Sequence, residues 1–381
     1  MKQRLLTPGP SEVPAETLLE LAQPVIHHRT PEFKQILADV LEDLRYVFCT
    51  KNPVIPLTSS GTGGMEAAIS NTCPPGSKVI CLIAGRWGER WRNICKAFGV
   101  EAVSVTAPYG QAVAPDQLAR ALADHPDVVA VCATLSETAT GVRNDIAGYG
   151  QLTASTPVLL IVDTISGLGV CECRTDDWHI DINVTGSQKA LMLPPGLAFV
   201  SVSDKAWQQI DKVKAHTFYF DLKKYRDKLA VPDTPFTPAH TLIRALRVSL
   251  RKIRHEGIES VWARHARNAA AARAGMQALG LELFADPPAE GLTVAKAPGG
   301  IDSGIILSKM EKQYGLKLAN GQDTLKGKII RLAHMGHNDA FDVLAALSGL
   351  ELVLLELGLP VTAGSGVAAA QRVLAEGVGK K

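Results

Sequence analysis

Short runs of β-branched and other apolar residues, each followed by a longer stretch of helical patterning, alternate from about residue 54 to residue 202. No other feature constrains the chain as much, because strands joined through crossover helices line up parallel in one sheet with helices on its faces. The runs Val54 to Thr58, Val79 to Ile83, Ala102 to Val105, Val128 to Ala133, Val158 to Val162, Ile182 to Thr185 and Leu197 to Val202 predict about seven strands. Gly64 to Thr72, Trp87 to Ala97 and Pro115 to Ala123 read as helices between them. The rhythm breaks near Asp221 to Pro238, where charged residues give way to the proline-punctuated VPDTPFTPAH. Thr241 onward is helical and basic, and a second helix is expected from Ile258 to Leu279. Shorter pieces follow: an apolar run at Leu292 to Ala295, a helix near Asp302 to Tyr314, a strand at Lys328 to Leu332 and a helix from Asn338 to Leu357. The tail after Pro360 reads only as Gly/Ala-rich. The expected class is α/β, with a mainly parallel seven-stranded sheet in a large domain over residues 14–240 and a smaller α+β C-terminal domain over 241–381.

Charge narrows the function. With 40 Lys plus Arg against 38 Asp plus Glu, the net charge of +2 leaves no electrostatic footprint for nucleic acid or an anionic membrane surface. No apolar stretch approaches the roughly 18 residues of a membrane span, and MKQRLLTPGP turns to Pro and Gly too early for a signal peptide, so the expected compartment is the cytoplasm. Seven cysteines, an odd number with no CxxC pair, point to reduced thiols in a core rather than to disulfides or zinc.

Two residues carry the chemical reading. Asp163 closes the most apolar strand, VLLIVD, at the edge where ligands of open α/β sheets collect. Lys189 lies just past the next apolar run, before a Pro-Pro-Gly turn, where desolvation disfavours the ammonium form and leaves an amine able to attack aldehydes. Alone, each has a plainer reading: a turn aspartate and a snorkelling surface lysine. Together they suggest Lys189 joined to pyridoxal 5'-phosphate (PLP) with Asp163 keeping the pyridine nitrogen protonated. Ser59-Ser60-Gly61-Thr62-Gly63-Gly64 follows a strand and opens a helix, which supplies amides, hydroxyls and a helix dipole for the phosphate. The rival dinucleotide fingerprint fails because Glu66 stands at the third glycine position, and a Walker A site lacks its Gly-Lys-Ser/Thr.

Supporting residues are individually ambiguous. Trp87 suits stacking on the cofactor ring or ordinary core packing, and Thr138 and Thr140 suit either the ring's phenolic oxygen or turn capping. Arg331 offers a planar fork for a substrate carboxylate, or is a surface arginine on an edge strand. His334 and His337 form an HxxH without a third ligand, so no metal is expected. Thr30-Pro31 after the His27-His28 pair marks a helix start, which leaves Arg29 as a helix-entry residue.

With these residues in place, the chain resembles the class V, fold-type I, PLP-dependent aminotransferases, and within them the alanine-glyoxylate and serine-glyoxylate (serine-pyruvate) group. The similarity runs through LLTPGPSEVP, HHRTPEF, SSGTGGMEAA, GRWGER, ETATGV, VDTISGLG, TGSQKALMLPPGLAFVS, TPFTPAH and IIRLAHMG. It implies Lys189 as the cofactor-bound lysine, Asp163 on the pyridine nitrogen, Trp87 over the ring and Thr138 at its polar edge, with Ser60, Gly61, Thr62 and Gln188 around the phosphate. TPFTPAH resembles the segment that crosses to the neighbouring subunit, which implies Thr237 as a phosphate ligand in trans and a homodimer with shared active sites. Arg331 matches the carboxylate-binding arginine, and Gly9 matches an N-terminal segment, residues 1–13, that lines the substrate pocket. Departures from the family pattern, Leu135, Ala139, Phe236 and the Arg331-Leu332-Ala333 triplet, flank the pocket and bear on substrate preference.

The expected activity is ping-pong transamination between a small amino acid, alanine or serine, and a 2-oxo acid, glyoxylate or pyruvate. One carboxylate clamp favours these over a dicarboxylate, for which Arg29 is the nominated second cation. The competing readings are another fold-type I PLP enzyme, an aspartate-using aminotransferase or a lyase, and a non-catalytic PLP-fold subunit of a larger complex. A desulfurase would need a mobile cysteine near the C-terminal domain, whereas all seven cysteines precede residue 174.

Overall fold

In the computed structural model, which describes residues 2–376, seven strands form one sheet: β1 (Val54–Thr58), β2 (Lys78–Ile83), β3 (Glu101–Thr106), β4 (Val128–Thr134), β5 (Leu159–Asp163), β6 (Ile182–Gly186) and β7 (Leu197–Val202). Their order across the sheet is β1-β7-β6-β5-β4-β2-β3. Only β7 is reversed, pairing antiparallel with both β1 and β6, while the other neighbours are parallel. Every residue of β5, β6 and β7 is buried; β5 and β7 accordingly read as near-continuous apolar runs, whereas β6 alternates, its Asn183 and Thr185 hydrogen-bonding to Thr175 and to the Thr164 carbonyl. β2 leads outward to β3 and β4 leads the other way to β5, so the neighbours β2 and β4 part at their carboxyl ends and open a crevice there.

Helices α1 (Ala15–Leu21), α2 (Pro31–Phe48), α3 (Gly61–Thr72), α4 (Arg86–Ala97), α5 (Pro115–Asp124), α6 (Ile146–Thr153), α7 (Asp204–Lys212) and α8 (Leu222–Leu229) surround this sheet. α2 begins at the predicted Thr30-Pro31 pair, where the Thr30 hydroxyl accepts from Phe33 N at 3.3 Å. α3 starts at Gly61, three residues before the sequence reading put it. Its glycines are demanded by proximity: a Cβ on Gly64 would lie 2.7 Å from Val184 Cγ1 on β6, so the helix reaches the sheet only where side chains are absent.

The C-terminal third contains α9 (His240–Glu256), α10 (Ile258–Ala278), α11 (Ser303–Tyr314), α12 (Ala340–Glu356), α13 (Ser365–Ala375) and a three-stranded antiparallel sheet in the order β8 (Leu292–Lys296), β10 (Ile329–Ala333), β9 (Ala319–Asn320). Two main cores result. Ile243, Leu246 and Leu250 of α9, with Val261 and Trp262 at the start of α10, pack into the large core beside α2. Ala271, Ala272 and Met276, later in α10, belong to the second core with Ile306, Ile330 and Leu347. Leu6 joins that second core, and Arg4–Leu5 pairs with Leu316–Lys317, so the N-terminal segment is tied to the second core before Ser11 reaches the Lys189 carbonyl. Among the described residues no helix is long and apolar enough to cross a membrane.

Candidate active site

The carboxyl ends of β4 and β5, the N-terminus of α3 and the loop after β6 converge on a cavity of about 280 Å³. Of the residues nominated from the sequence, Gly9, Ser60, Gly61, Thr62, Trp87, Thr138, Asp163, Gln188 and Lys189 line it. Arg331 and Thr237 do not.

Asp163 is the last residue of β5, paired in register with Thr134 and Val184 of the flanking strands. Its Oδ1 accepts from Ile165 N at 2.8 Å, and no cation among the described residues lies within ion-pair distance of it. Burial pushes the carboxyl up to about 6, against the backbone hydrogen bond and the attraction of Lys189 and Arg90. Lys189 sits in the turn between antiparallel β6 and β7, with its backbone carbonyl accepting from Ser11 Oγ at 2.7 Å. The Nζ donates to the carbonyl oxygen of Pro8. Burial draws the amine down to about 8, with Asp163 opposing and the Arg331 charge assisting. Gly9 has φ +132°, and any Cβ there would collide with the Lys189 side chain, so the crossing of the N-terminal segment over this lysine requires glycine.

At the other end of the cavity Ser60 occupies the N-cap of α3 without making a side-chain cap bond, and the first amides of the helix have no intrahelical acceptor. Thr62 Oγ1 accepts from Arg90 Nη1 at 2.8 Å, and the Arg90 guanidinium lies 4.2 Å over the Trp87 ring. Gln188 Oε1, Trp87 Nε1 and Ser136 Oγ are buried without hydrogen-bond partners. A hydroxyl-rich helix N-terminus, a buried carboxylate lacking a cation, a buried amine and several orphaned polar atoms around one cavity are the donor set that a phosphorylated pyridine aldehyde needs. The residues fit PLP.

Arg331 is in the middle of β10, buried, with Nε donating to Asn320 O at 2.8 Å and Nη1 to Thr138 O at 2.9 Å. Thr138 Oγ1 donates to Ser166 Oγ at 2.7 Å. Thr140 is also buried, its hydroxyl donating to Ala84 O at 3.3 Å. Thr237 is exposed on the surface of its own chain. Arg29 is about half exposed and pairs with Asp233 at 3.4 Å, outside the cavity. His334 is buried with Nε2 against Thr293 Oγ1 at 3.0 Å, whereas His337 is exposed.

Sequence reasoning missed Arg90, Ser166, Gln322 and Glu137. Arg90 stands one helical turn after Trp87, a spacing that could have nominated it. Ser166 and Gln322 reach the cavity from loops that carry no local pattern. Arg86 donates to both carboxylate oxygens of Asp323, at 3.1 and 3.3 Å, beside the cavity-lining Gln322, and its charge acts on Arg331.

A sequence profile of the family described as aminotransferase class-V matches residues 15–338. The chain is 43% identical over 378 residues, 98% of each chain, to a protein named soluble hydrogenase, small subunit, of a Synechococcus strain. It is 38% identical to the L-aspartate–glyoxylate aminotransferase of Paracoccus denitrificans, over 96% of this chain and 95% of that one. The crystal structure of an alanine–glyoxylate aminotransferase from Nostoc superposes with a TM-score of 0.89 at 29% identity, covering 93% of this chain and 96% of that one.

Proposed function

The chain belongs to the class V aminotransferases, which are PLP-dependent, and we propose that it moves an amino group from alanine or serine to glyoxylate or pyruvate by ping-pong kinetics. The observation that carries this reading is a buried Lys189 and a buried, cation-free Asp163 on one cavity with the open N-terminus of α3. When bound, PLP supplies an aldehyde and an electron-accepting ring that acidifies the substrate's Cα–H. Ser60, Gly61, Thr62 and Gln188 would hold the phosphate and Asp163 the ring nitrogen. Trp87, backed by Arg90, would cover the ring, and Thr138 would meet its polar edge. Lys189 Nζ, drawn toward its neutral form by burial, takes the proton at the substrate's Cα. Arg331, off the cavity wall but bonded to the cavity-lining Thr138, would offer Nη2 and its remaining Nη1 hydrogen to the α-carboxylate. Gly9 leaves room for the substrate beside the lysine.

The sites are shared across a homodimer in this reading. Support comes from the surface around Thr237, where Phe218 is 73% and Val231 62% exposed and Tyr219 stacks on Phe236 at 5.0 Å, an apolar patch of the kind that subunit interfaces cover. The share of glyoxylate-using enzymes among the relatives supports glyoxylate as acceptor.

A second donor, aspartate, is favoured by Arg86, which could release Asp323 to take a side-chain carboxylate. The deciding experiment is steady-state transamination of glyoxylate and pyruvate with alanine, serine and aspartate. Turnover highest with alanine or serine is expected. Turnover with aspartate alone, lost in Arg86→Gln, selects the second reading, and no turnover with any donor overturns both.

A further inference from the structure

Helix α4, whose first turn carries Trp87, lacks a cap of its own. Its N-cap residue is Gly85, and no side chain within the helix satisfies the first amides. Glu137, in the short hairpin after β4 where Ser136–Glu137 pairs with Val142–Arg143, does so from outside: Oε2 accepts from Trp87 N at 3.0 Å and from Gly88 N at 3.2 Å, and Oε1 accepts from Ala139 N at 3.1 Å. The carboxylate is 0% exposed and has no ion-pair partner among the described residues. It occupies the space where a side chain at residue 85 would begin, since a Cβ on Gly85 would sit 2.6 Å from Glu137 Cδ. The hairpin that carries Glu137 continues into Thr138, whose carbonyl holds Arg331 Nη1.

We infer that Glu137 is a positioning residue of this site: its buried carboxylate is the N-cap that α4 lacks, and through one hairpin it sets both the Trp87 indole and the Arg331 fork. The inference rests on the aminotransferase reading above and extends it, because it ties cofactor stacking to carboxylate recognition through a group that touches neither ligand. A carboxylate suits the task for two reasons. Both oxygens must accept, and the positive end of the α4 dipole favours an anion there. Three N–H donors keep the anion accessible although burial pushes the carboxyl up to about 7. A Gln side chain of the same shape has one accepting oxygen and a donating NH2, so either the Trp87–Gly88 pair or Ala139 must lose its acceptor.

The test compares wild type, Glu137→Gln and Gly85→Ala, the last because its methyl would displace the carboxylate without altering it. In the cofactor-free proteins, amide hydrogen exchange should quicken by about tenfold at Trp87, Gly88 and Ala139 in Gly85→Ala, and in Glu137→Gln at either the Trp87–Gly88 pair or Ala139, whichever loses its acceptor. The dissociation constant of PLP and the KM of the amino donor should each rise by about tenfold, with kcat within about twofold of wild type. Folded variants with unchanged amide exchange, PLP affinity and KM overturn the inference. So does a fall in melting temperature with KM and PLP affinity unmoved, which is the signature of a merely structural cap. A wild type that does not transaminate overturns the parent reading instead, and the wild-type arm alone tells that outcome apart.

Discussion

Asp163 and Lys189 are both held against their solvation, and the cost should be visible when the cofactor is absent. Burial raises the Asp163 carboxyl from its ordinary value of 3.8 to about 6, so between those values the folded chain holds a proton that the unfolded chain has lost. That contribution to stability is complete below the lower value and is lost as pH rises through the upper one, on the order of 3 kcal/mol. Glu137, raised from 4.5 to about 7, adds a loss of the same sign. Asp163→Asn should therefore make the cofactor-free protein more stable at pH 8 by about 2 kcal/mol while weakening its hold on PLP; urea denaturation at pH 5 and pH 8 measures the difference, and equal pH slopes for the two proteins would contradict it. For Lys189 the displacement is downward, from 10.5 to about 8. The rate of covalent PLP capture, trapped with borohydride, should climb about tenfold per pH unit up to 8 and then level off. A rate still climbing at pH 10 would mean an ordinary solvated lysine. Lys189→Ala should bind PLP only non-covalently and lose turnover by about a thousandfold.

At the level of elements, α3 and α13 show how small residues set geometry. α3 approaches β6 so closely that Gly64→Ala gains about 1 kcal/mol of helix propensity but overpacks Val184 by more, for a net loss of about 1–2 kcal/mol in urea denaturation. The same change should weaken PLP binding if the α3 amides hold the phosphate as proposed, because it would displace them. A stabilised Gly64→Ala protein would show that the helix is free to move. α13 lies in the tail that the sequence reading left without an element. Its Gly366, Ala369 and Ala370 are buried, and Gly275 of α10 meets the Gly366 carbonyl at 3.0 Å from its would-be Cβ. Glycine is a turn residue, so a short helix whose buried face is glycine and alanine reads as loop when composition is weighed ahead of period.

For the whole molecule, the proposed shared-site dimer makes a prediction that no single-chain property can mimic. If Thr237 serves the partner's cavity, Lys189→Ala and a defective Thr237→Val protein, mixed under conditions of subunit exchange, should regain activity. One site of each hybrid would combine an intact Lys189 with an intact Thr237 from the opposite subunit. Recovery approaching about a quarter of wild-type activity is expected for random pairing with two sites per dimer. No recovery, with exchange verified by mass, would place Thr237 outside the site. The position of α9 bears on the same scale, because Ile243, Leu246 and Leu250 are part of the large core although they follow the proline-rich segment. The two cores are therefore joined along the length of α10 rather than at a flexible linker.

Local information in the sequence was enough for the strands, most helices and the burial of Asp163 and Lys189 at one cavity. Apolar runs report burial directly, and an acidic or basic group at the end of such a run is costly enough to stand out. It was also enough to nominate nine residues that line one cavity. What only the tertiary structure decided were contacts between distant segments: Glu137 capping α4, Arg331 held by Thr138 and Asn320, Arg86 paired with Asp323 and Pro8 over Lys189. A carboxylate that accepts from the backbone of another element leaves no periodicity or spacing in its own neighbourhood, since its partners are fixed by where the chain returns.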